Sequence, residues 1–311
     1  MMNDNLPPTH GGTKQRIKVP LGLGGRLGSR PKFPGRLAVR AAPVRHPAQW
    51  AIAMVIVIAF AILGISLYQN PNIDHQTIGS FLANTSVLKG FVVTIELTII
   101  SSIIAIALGT FLAVFRLSNN RILSSASWLY IWAFRATPLL VQILLWGNFA
   151  LLFKHLGIGI PFTNIIWFQV NTNDVITSFV ASILALGLSE GAYMAEIIRG
   201  GIVAIDPGQS EAARALGMRR RTVLRRIVLP QAMRVIIPPT GNQIIGLMKA
   251  SSLVSVIAGG DLLTATSTIS AQNFRVIELL LVATFWYFVL VSVMTLAQHF
   301  VEVRLARKQV L

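Results

Sequence analysis

The sequence predicts an all-α integral membrane protein, a polytopic bundle of six transmembrane helices. Of its 311 residues, 54% are hydrophobic and only 12% are charged, which is far from the balance of a soluble globular chain. Several uncharged runs also reach the roughly 20 residues that a helix needs to cross a bilayer. Finally, 22 of the 27 lysines and arginines fall in four segments that can share one side of the membrane.

Six apolar runs form the predicted spans. They cover approximately residues 50–68, 88–115, 125–153, 175–198, 236–258 and 277–299. The first of them has no charge and carries an aromatic residue at each end, where a membrane interface is expected. Six spans place both termini in the cytoplasm together with the basic segments, as the positive-inside rule requires. The outer loops are then residues 69–87, residues 154–174 and the segment around Asp261.

The two ends of the chain are predicted to be cytoplasmic tails. Residues 1–49 are rich in glycine, proline and arginine and show no periodic apolar face, so we expect a disordered basic tail, and residues 300–311 form a shorter one. A net charge of +16 is typical of nucleic-acid binders, but Phe33 is the one phenylalanine, tyrosine or tryptophan among residues 1–49, so the long tail lacks the interleaved aromatic residues of such binders. We therefore expect membrane lipid, and no nucleic acid, as its partner.

The polar stretch between the fourth and fifth spans is rich in arginine. It reads D-P-G-Q-S-E-A-A-R-A-L-G-M-R-R-R-T-V-L-R-R-I-V-L-P over residues 206–230. Asp206 can cap a helix, Pro207 suits its first position, and Gly217 suits the left-handed residue that ends it. Small side chains would let this helix enter a partner's cleft: Ala212, Ala213 and Ala215. A second helix should follow, with one apolar face formed by Val223, Leu224, Ile227 and Val228.

The spacing in this stretch resembles the EAA loop, E-A-A-x3-G-x9-I-x-L-P, of the membrane subunits of importers driven by ATP-binding-cassette (ABC) proteins. In that family the loop docks the ATPase. The resemblance therefore implies an ATPase-coupling role for six residues: Glu211, Ala212, Ala213, Gly217, Leu229 and Pro230. One departure is Arg219, where many relatives have serine or threonine. The alternative from composition alone is a basic helix lying on the membrane surface.

Three further segments resemble permeases for polar amino acids. Residues 134–142, F-R-A-T-P-L-L-V-Q, are similar to F-R-G-T-P-L-L-V-Q, and residues 192–202, A-Y-M-A-E-I-I-R-G-G-I, follow A-Y-x-A-E-I-x-R-G-G-I. Residues 249–253, K-A-S-S-L, are similar to K-D-T-S-L, with alanine in place of the acid. Over residues 88–299 the likeness is to the histidine, glutamine, arginine and opine branch of ABC importer permeases.

This resemblance implies a type I ABC importer transmembrane domain over residues 88–299, preceded by an extra N-terminal helix over residues 50–68. It implies a homodimeric or heterodimeric channel in a bacterial inner membrane, two copies of an ABC ATPase, and an outer solute-binding protein that delivers a polar amino acid. The chain would be a transporter subunit and not an enzyme. Because it contains no G-K-[ST] motif, we expect it to bind no cofactor, and ATP with Mg to be held by the ATPase.

Charged and polar residues inside the predicted spans are candidates for a translocation path, since charges at membrane depth are costly unless they are paired or face water. These candidates are Arg135, Thr137, Glu190, Asn242, Lys249, Ser251 and Ser252. Glu196 lies three residues before Arg199, which belongs to a basic cytoplasmic segment, so we expect Glu196 at the membrane interface rather than in the translocation path. Pro138 should kink the third span and free a carbonyl that needs a local partner. We predict no catalytic residue and no metal site, because the histidines are scattered and the chain has no cysteine.

A different class of function remains open from the sequence. A proton-coupled secondary transporter would use intramembrane carboxylates such as Glu190 and Glu196. A spacing of six residues places these two far apart around a helix. Such a carrier would lose its activity with the proton gradient and would need no ATPase, so the two classes can be told apart in transport assays.

Overall fold

A computed structural model describes residues 47–159 and 166–307. The chain divides into two units at residues 62 and 63. The described part of the first unit belongs to helix α1, Pro47–Tyr68, which ends within the second unit. Residues 1–46 and 308–311 lie outside the described residues, and with them most of the long predicted tail. Of the shorter predicted tail, residues 300–307 belong to the last helix of the chain.

The second unit is mostly helical. Its helices are α2 (His75–Leu82), α3 (Thr85–Arg116), α4 (Arg121–Ala136), α5 (Leu139–Gly147), α6 (Phe149–Leu152), α7 (Thr172–Val175), α8 (Ser178–Val203), α9 (Pro207–Ala215), α10 (Arg220–Val223), α11 (Leu229–Ala250), α12 (Leu262–Asn273) and α13 (Val276–Arg307). A π-helical turn, Leu224–Val228, joins α10 to α11, and a 3-10 helix, Ser251–Ile257, extends α11. Two short strands, β1 (His155–Gly159) and β2 (Ile166–Asn171), pair antiparallel.

Among the described residues, four helices are long and apolar enough to cross a membrane: α1, α3, α8 and α13. Two bent pairs bring the total to six if each pair is one span, namely α4 with α5, and the stretch Arg220–Ile257 with α12. These positions agree with the six predicted runs, while the exact number of spans stays a prediction.

Helices α3 and α8 form the most extensive pair in the bundle. Contacts advance in the same direction along both helices, so the pair is parallel, as the predicted topology requires. Small residues allow the close approach: a Cβ on Gly191 would lie 2.8 Å from Leu108 Cδ2, and one on Gly109 would lie 2.7 Å from Met194 Cβ. Gly187 and Gly191, four residues apart on α8, thus form a small-residue face on which α3 packs closely.

The third predicted span is not one helix. The chain bends by 97° between α4 and α5, because Pro138 cannot donate to the carbonyl of Phe134 and its ring crowds that carbonyl. The Gln142 side-chain amide donates to the freed Phe134 oxygen over 2.9 Å and to the Thr137 oxygen over 3.0 Å. The predicted local partner is thus found, but the expected kink is a full break. The bend also carries Ile143 into the main buried cluster with α3, α8 and α11.

The predicted outer loops contain regular structure. Residues 69–87 include helix α2, and residues 154–174 include the hairpin of β1 and β2 with residues 160–165 outside the description. Asp74 caps α2 by accepting the N–H groups of Gln76 and Thr77, and its backbone N–H donates to Glu278 Oε1 over 3.3 Å. The Thr77 hydroxyl, which also donates to Asp74, lowers the pKa of that carboxyl. The segment before α3 is thereby fastened to the start of α13.

Candidate functional site

The first part of the arginine-rich loop folds as the short helix α9, and both of its ends are fixed by their sequence. At the start, Asp206 Oδ1 accepts the Gly208 N–H over 2.8 Å and Pro207 occupies the first turn. At the end, Gly217 has φ +78°, its N–H donates to the Arg214 carbonyl over 2.9 Å, and the next N–H reaches the Ala213 carbonyl over 3.1 Å. This pair of bonds is a Schellman motif. The predicted left-handed glycine is confirmed.

The two faces of α9 differ in burial. Ala213 is only 4% exposed and packs inside the loop against Val223 and Val228. Its small size predicted that it would enter a partner's cleft, but it is buried within this chain. Glu211, Ala212 and Ala215 are exposed on the other side. These three, together with Leu216, form what we call the docking face.

Leu216 was missed by reasoning from the sequence. It is 83% exposed, which makes it one of the most exposed large apolar side chains of the described chain. Its position four residues after Ala212 places it on the same helix face, and this spacing could have revealed it. An exposed leucine beside small residues on a short, well-capped helix is a surface suited to contact another protein.

The second part of the loop is not the regular helix predicted after Gly217. Arg219 takes the position that caps α10 but makes no side-chain capping bond, as expected where serine or threonine is replaced. The following π turn bonds the Leu229 N–H to the Leu224 carbonyl, five residues back. Pro230 explains this turn, because it has no N–H for the carbonyl of Arg226 and its ring would crowd that carbonyl in a regular helix.

The π turn also changes which apolar residues share a face. Val223 and Val228, five residues apart, are both buried with Ala213, because five residues complete about one π turn. Ile227 is half-buried and packs on the same cluster. The prediction for Leu224 is wrong: it is 50% exposed and lies off this face. Of the remaining residues predicted to couple to the ATPase, Leu229 and Pro230 are exposed at the start of α11.

The seven candidate pathway residues do not meet in a single site within this chain. The Thr137 hydroxyl donates back to the Ala133 carbonyl of its own helix. Asn242 accepts the side-chain amide of Gln298 from α13 over 3.0 Å. The hydroxyls of Ser251 and Ser252 donate to carbonyls at the end of α11, where Lys249 is exposed.

The two predicted intramembrane carboxylates of α8 have different surroundings. Glu190 is 7% exposed, and its Oε1 atom has no hydrogen-bond partner among the described residues. Glu196 is bound by Arg199, whose Nε and Nη2 atoms both donate to Oε2, over 3.0 and 2.8 Å. The structure does not connect the two carboxylates. Arg135 lies nearby on α4, with its guanidinium 5.3 Å from the centre of the Tyr193 ring.

A buried polar group at the break between the 3-10 helix and α12 was also missed. Asp261, predicted in an outer loop, is fully buried and caps α12 through the N–H groups of Leu263 and Thr264. The hydroxyl of Tyr287 in α13 donates to Asp261 Oδ2 over 3.3 Å. The neighbouring Leu262 N–H donates to the Thr94 hydroxyl of α3 over 3.0 Å. Asp261 and Leu262 together thus link α12 to α13 and α3, which their position in the sequence did not reveal.

Comparison with known proteins defines the class of this chain. Residues 105–307 match the family described as binding-protein-dependent transport system inner membrane component. The chain is 38% identical over 266 residues to an arginine transport system permease protein of Corynebacterium glutamicum, covering 85% of this chain and 82% of that protein. It is 34% identical over 219 residues to an arginine transport system permease protein of Bacillus subtilis, covering 70% and 92%.

The fold agrees with these relatives. A crystal structure titled as an amino acid ABC transporter with histidines superposes with a TM-score of 0.64 at 32% identity, over 75% of this chain and 99% of that one. The chain therefore belongs to the family of binding-protein-dependent transport system inner membrane components. It is a multi-pass membrane permease component of type I architecture and not an enzyme. Within that family it falls in the branch of polar amino acid permeases, as its motifs predicted.

Proposed function

We propose that this chain is the permease subunit of an ABC importer for a polar amino acid, with arginine as the first candidate. Its similarity to two permeases named for arginine transport supports this substrate. A separate ATPase subunit supplies the energy and holds the ATP and Mg, and an outer solute-binding protein delivers the amino acid. Family membership supports both partners.

The observation that carries the proposal is the geometry of α9. Its docking face is exposed, while Ala213 on the opposite side is anchored in a buried cluster with Val223 and Val228. Asp206 and the Gly217 turn fix both ends of this helix. A short, rigid helix with one free face and one anchored face can receive a displacement from a bound partner and pass it to α11.

The proposed assembly is supported by family membership. Two permease chains, identical or different, form the channel, and each EAA loop holds one of two ATPase copies. Both termini and the docking face lie in the cytoplasm, where the basic segments are attracted to anionic lipid. The permease domain covers residues 88–299 with its EAA loop at residues 206–230, and residues 50–68 add a further span.

Reconstituted vesicles test this function. Membranes containing the chain, its ATPase and its binding protein should take up labelled L-arginine only with ATP, and uptake should persist when an uncoupler removes the proton gradient. Leu216→Ala should reduce ATPase retention and uptake together. Leu151→Ala is the matched control, because Leu151 is 80% exposed but lies outside the EAA loop. Uptake that stopped with the uncoupler and continued without the ATPase would instead indicate the proton-coupled carrier.

A further inference from the structure

A charged cavity lies between α4 and α8, separate from the docking face. It has a volume of about 460 Å³, within the range of small-molecule sites. Its wall carries both signs of charge together with aromatic rings, contributed by Arg116, Trp128, Trp132, Arg135, Tyr193 and Glu196. Arg116 is the last residue of α3, and Glu196 lies seven residues before the end of α8. The cavity is therefore in the half of the bundle nearest the EAA loop.

Arg135 is held ready for an anionic group. Its guanidinium carbon lies over the Tyr193 ring, 5.3 Å from the ring centre, and among the described residues Arg135 forms no ion pair and donates no hydrogen bond. A ring beneath the guanidinium fixes the orientation of its planar fork without using its N–H donors. Such a fork binds a carboxylate through two parallel hydrogen bonds.

The opposite charge in the wall is also only partly satisfied. Both hydrogen bonds from Arg199 go to Glu196 Oε2, and Oε1 accepts none from the described residues. The side chain of Glu196 is 26% exposed and lines the cavity, so a ligand cation in the cavity can reach this carboxylate. Trp128 and Trp132 stack with their ring centres 6.2 Å apart, and the two residues are 50% and 57% exposed. Indole faces attract guanidinium and ammonium groups.

From these contacts we infer that the cavity binds the transported amino acid on the EAA-loop side of the membrane. Arg135 binds the α-carboxylate, Glu196 Oε1 binds a ligand cation, and the tryptophans accept a cationic side chain. The presence of Glu196 favours a ligand with both charges over a simple anion. This inference rests on the proposed function, and it assigns a substrate site near the exit from the channel.

Direct binding to the permease–ATPase complex, purified without its binding protein, tests the site. The parent complex should bind labelled L-arginine, and excess agmatine, which is arginine without the carboxylate, should not compete. Arg135→Gln should weaken binding by about tenfold or more, because hydrogen bonds to charged groups are lost. Tyr193→Phe keeps the ring and should bind normally, whereas Tyr193→Leu should bind weakly. Arg121→Gln is the control, since this exposed arginine of α4 lies outside the cavity.

Several outcomes would overturn the assignment. It fails if Arg135→Gln binds L-arginine as the parent does, if agmatine competes fully, or if a parent complex active in uptake binds none. It also fails if Arg135→Gln loses co-purified phosphatidylglycerol while retaining L-arginine, which would make the cavity a lipid site. Elution of each variant as an intact complex checks folding. A parent system that takes up no amino acid at all would instead refute the proposed function. The substrate site would then be refuted as well, because it rests on that function.

Discussion

Replacing Gly217 tests the docking helix most directly. The residue has φ +78°, and a Cβ added there would meet no atom within 4 Å. The cost of a side chain is therefore a backbone cost, about 1–2 kcal/mol for an L-residue in the left-handed region, with valine at the upper end. A change of that size alters the population of the ordered turn by roughly 5- to 30-fold. The two bonds that close α9 would be lost with the turn.

The expected result is that Gly217→Val stays in the membrane but retains less ATPase in detergent and takes up less substrate into vesicles. Gly217→Asn should lose little, because asparagine tolerates the left-handed conformation. Gly200→Ala is the matched control: this glycine of α8 also has open space around it, but its φ is not positive. The reasoning would be refuted if Gly217→Val held and coupled the ATPase like the parent while Gly217→Asn did not.

Four other predictions concern separate parts of the chain. Substituting Glu211 by alanine should weaken retention of the ATPase, because the side chain lies on the docking face, whereas Arg225→Gln should leave this retention nearly unchanged. A larger loss in Arg225→Gln than in Glu211→Ala would show that the docking site had been assigned to the wrong helix. Deleting residues 1–44 should preserve the uptake rate per inserted molecule, measured in vesicles after quantifying insertion. Gln142→Leu should destabilise the α4–α5 bend by about 1–3 kcal/mol, seen as a lower midpoint of thermal unfolding in detergent, because the freed Phe134 carbonyl loses its donor. Reporter fusions should be labelled from outside at Asp74, Lys154 and Phe274, and labelling of the Lys154 site from inside would show that the span count is wrong.

Long apolar helices and local capping could be predicted from the sequence, because both depend on nearby residues. The runs at residues 88–115, 175–198 and 277–299 correspond to α3, α8 and α13, each within a few residues at its start. Gly217 was assigned correctly because its conformation follows from its lack of a side chain and its place after a helix.

Features set by tertiary contacts could not be predicted. Pro138 indicates a disturbed helix, but the angle of 97° depends on Gln142 bridging the bend and on where Ile143 is buried. The burial of Asp261 depends on Tyr287, which bonds its carboxylate, and on Thr94, which bonds the neighbouring Leu262 N–H; both are distant in the chain. The pathway candidates were chosen for polarity alone, and polarity does not say which helix face a residue occupies.

The two proline sites show how one local problem leads to different outcomes. At Pro138 the helix breaks, and a glutamine side chain binds the freed carbonyl. At Pro230 the chain widens into a π turn and continues, so that the stretch Arg220–Ile257 runs from the EAA loop into the bundle. The same turn brings Val228 into the buried cluster beneath α9. Because a packed cluster cannot stretch, a displacement of the docking face has to move the base of α11 with it, or expose this cluster to water.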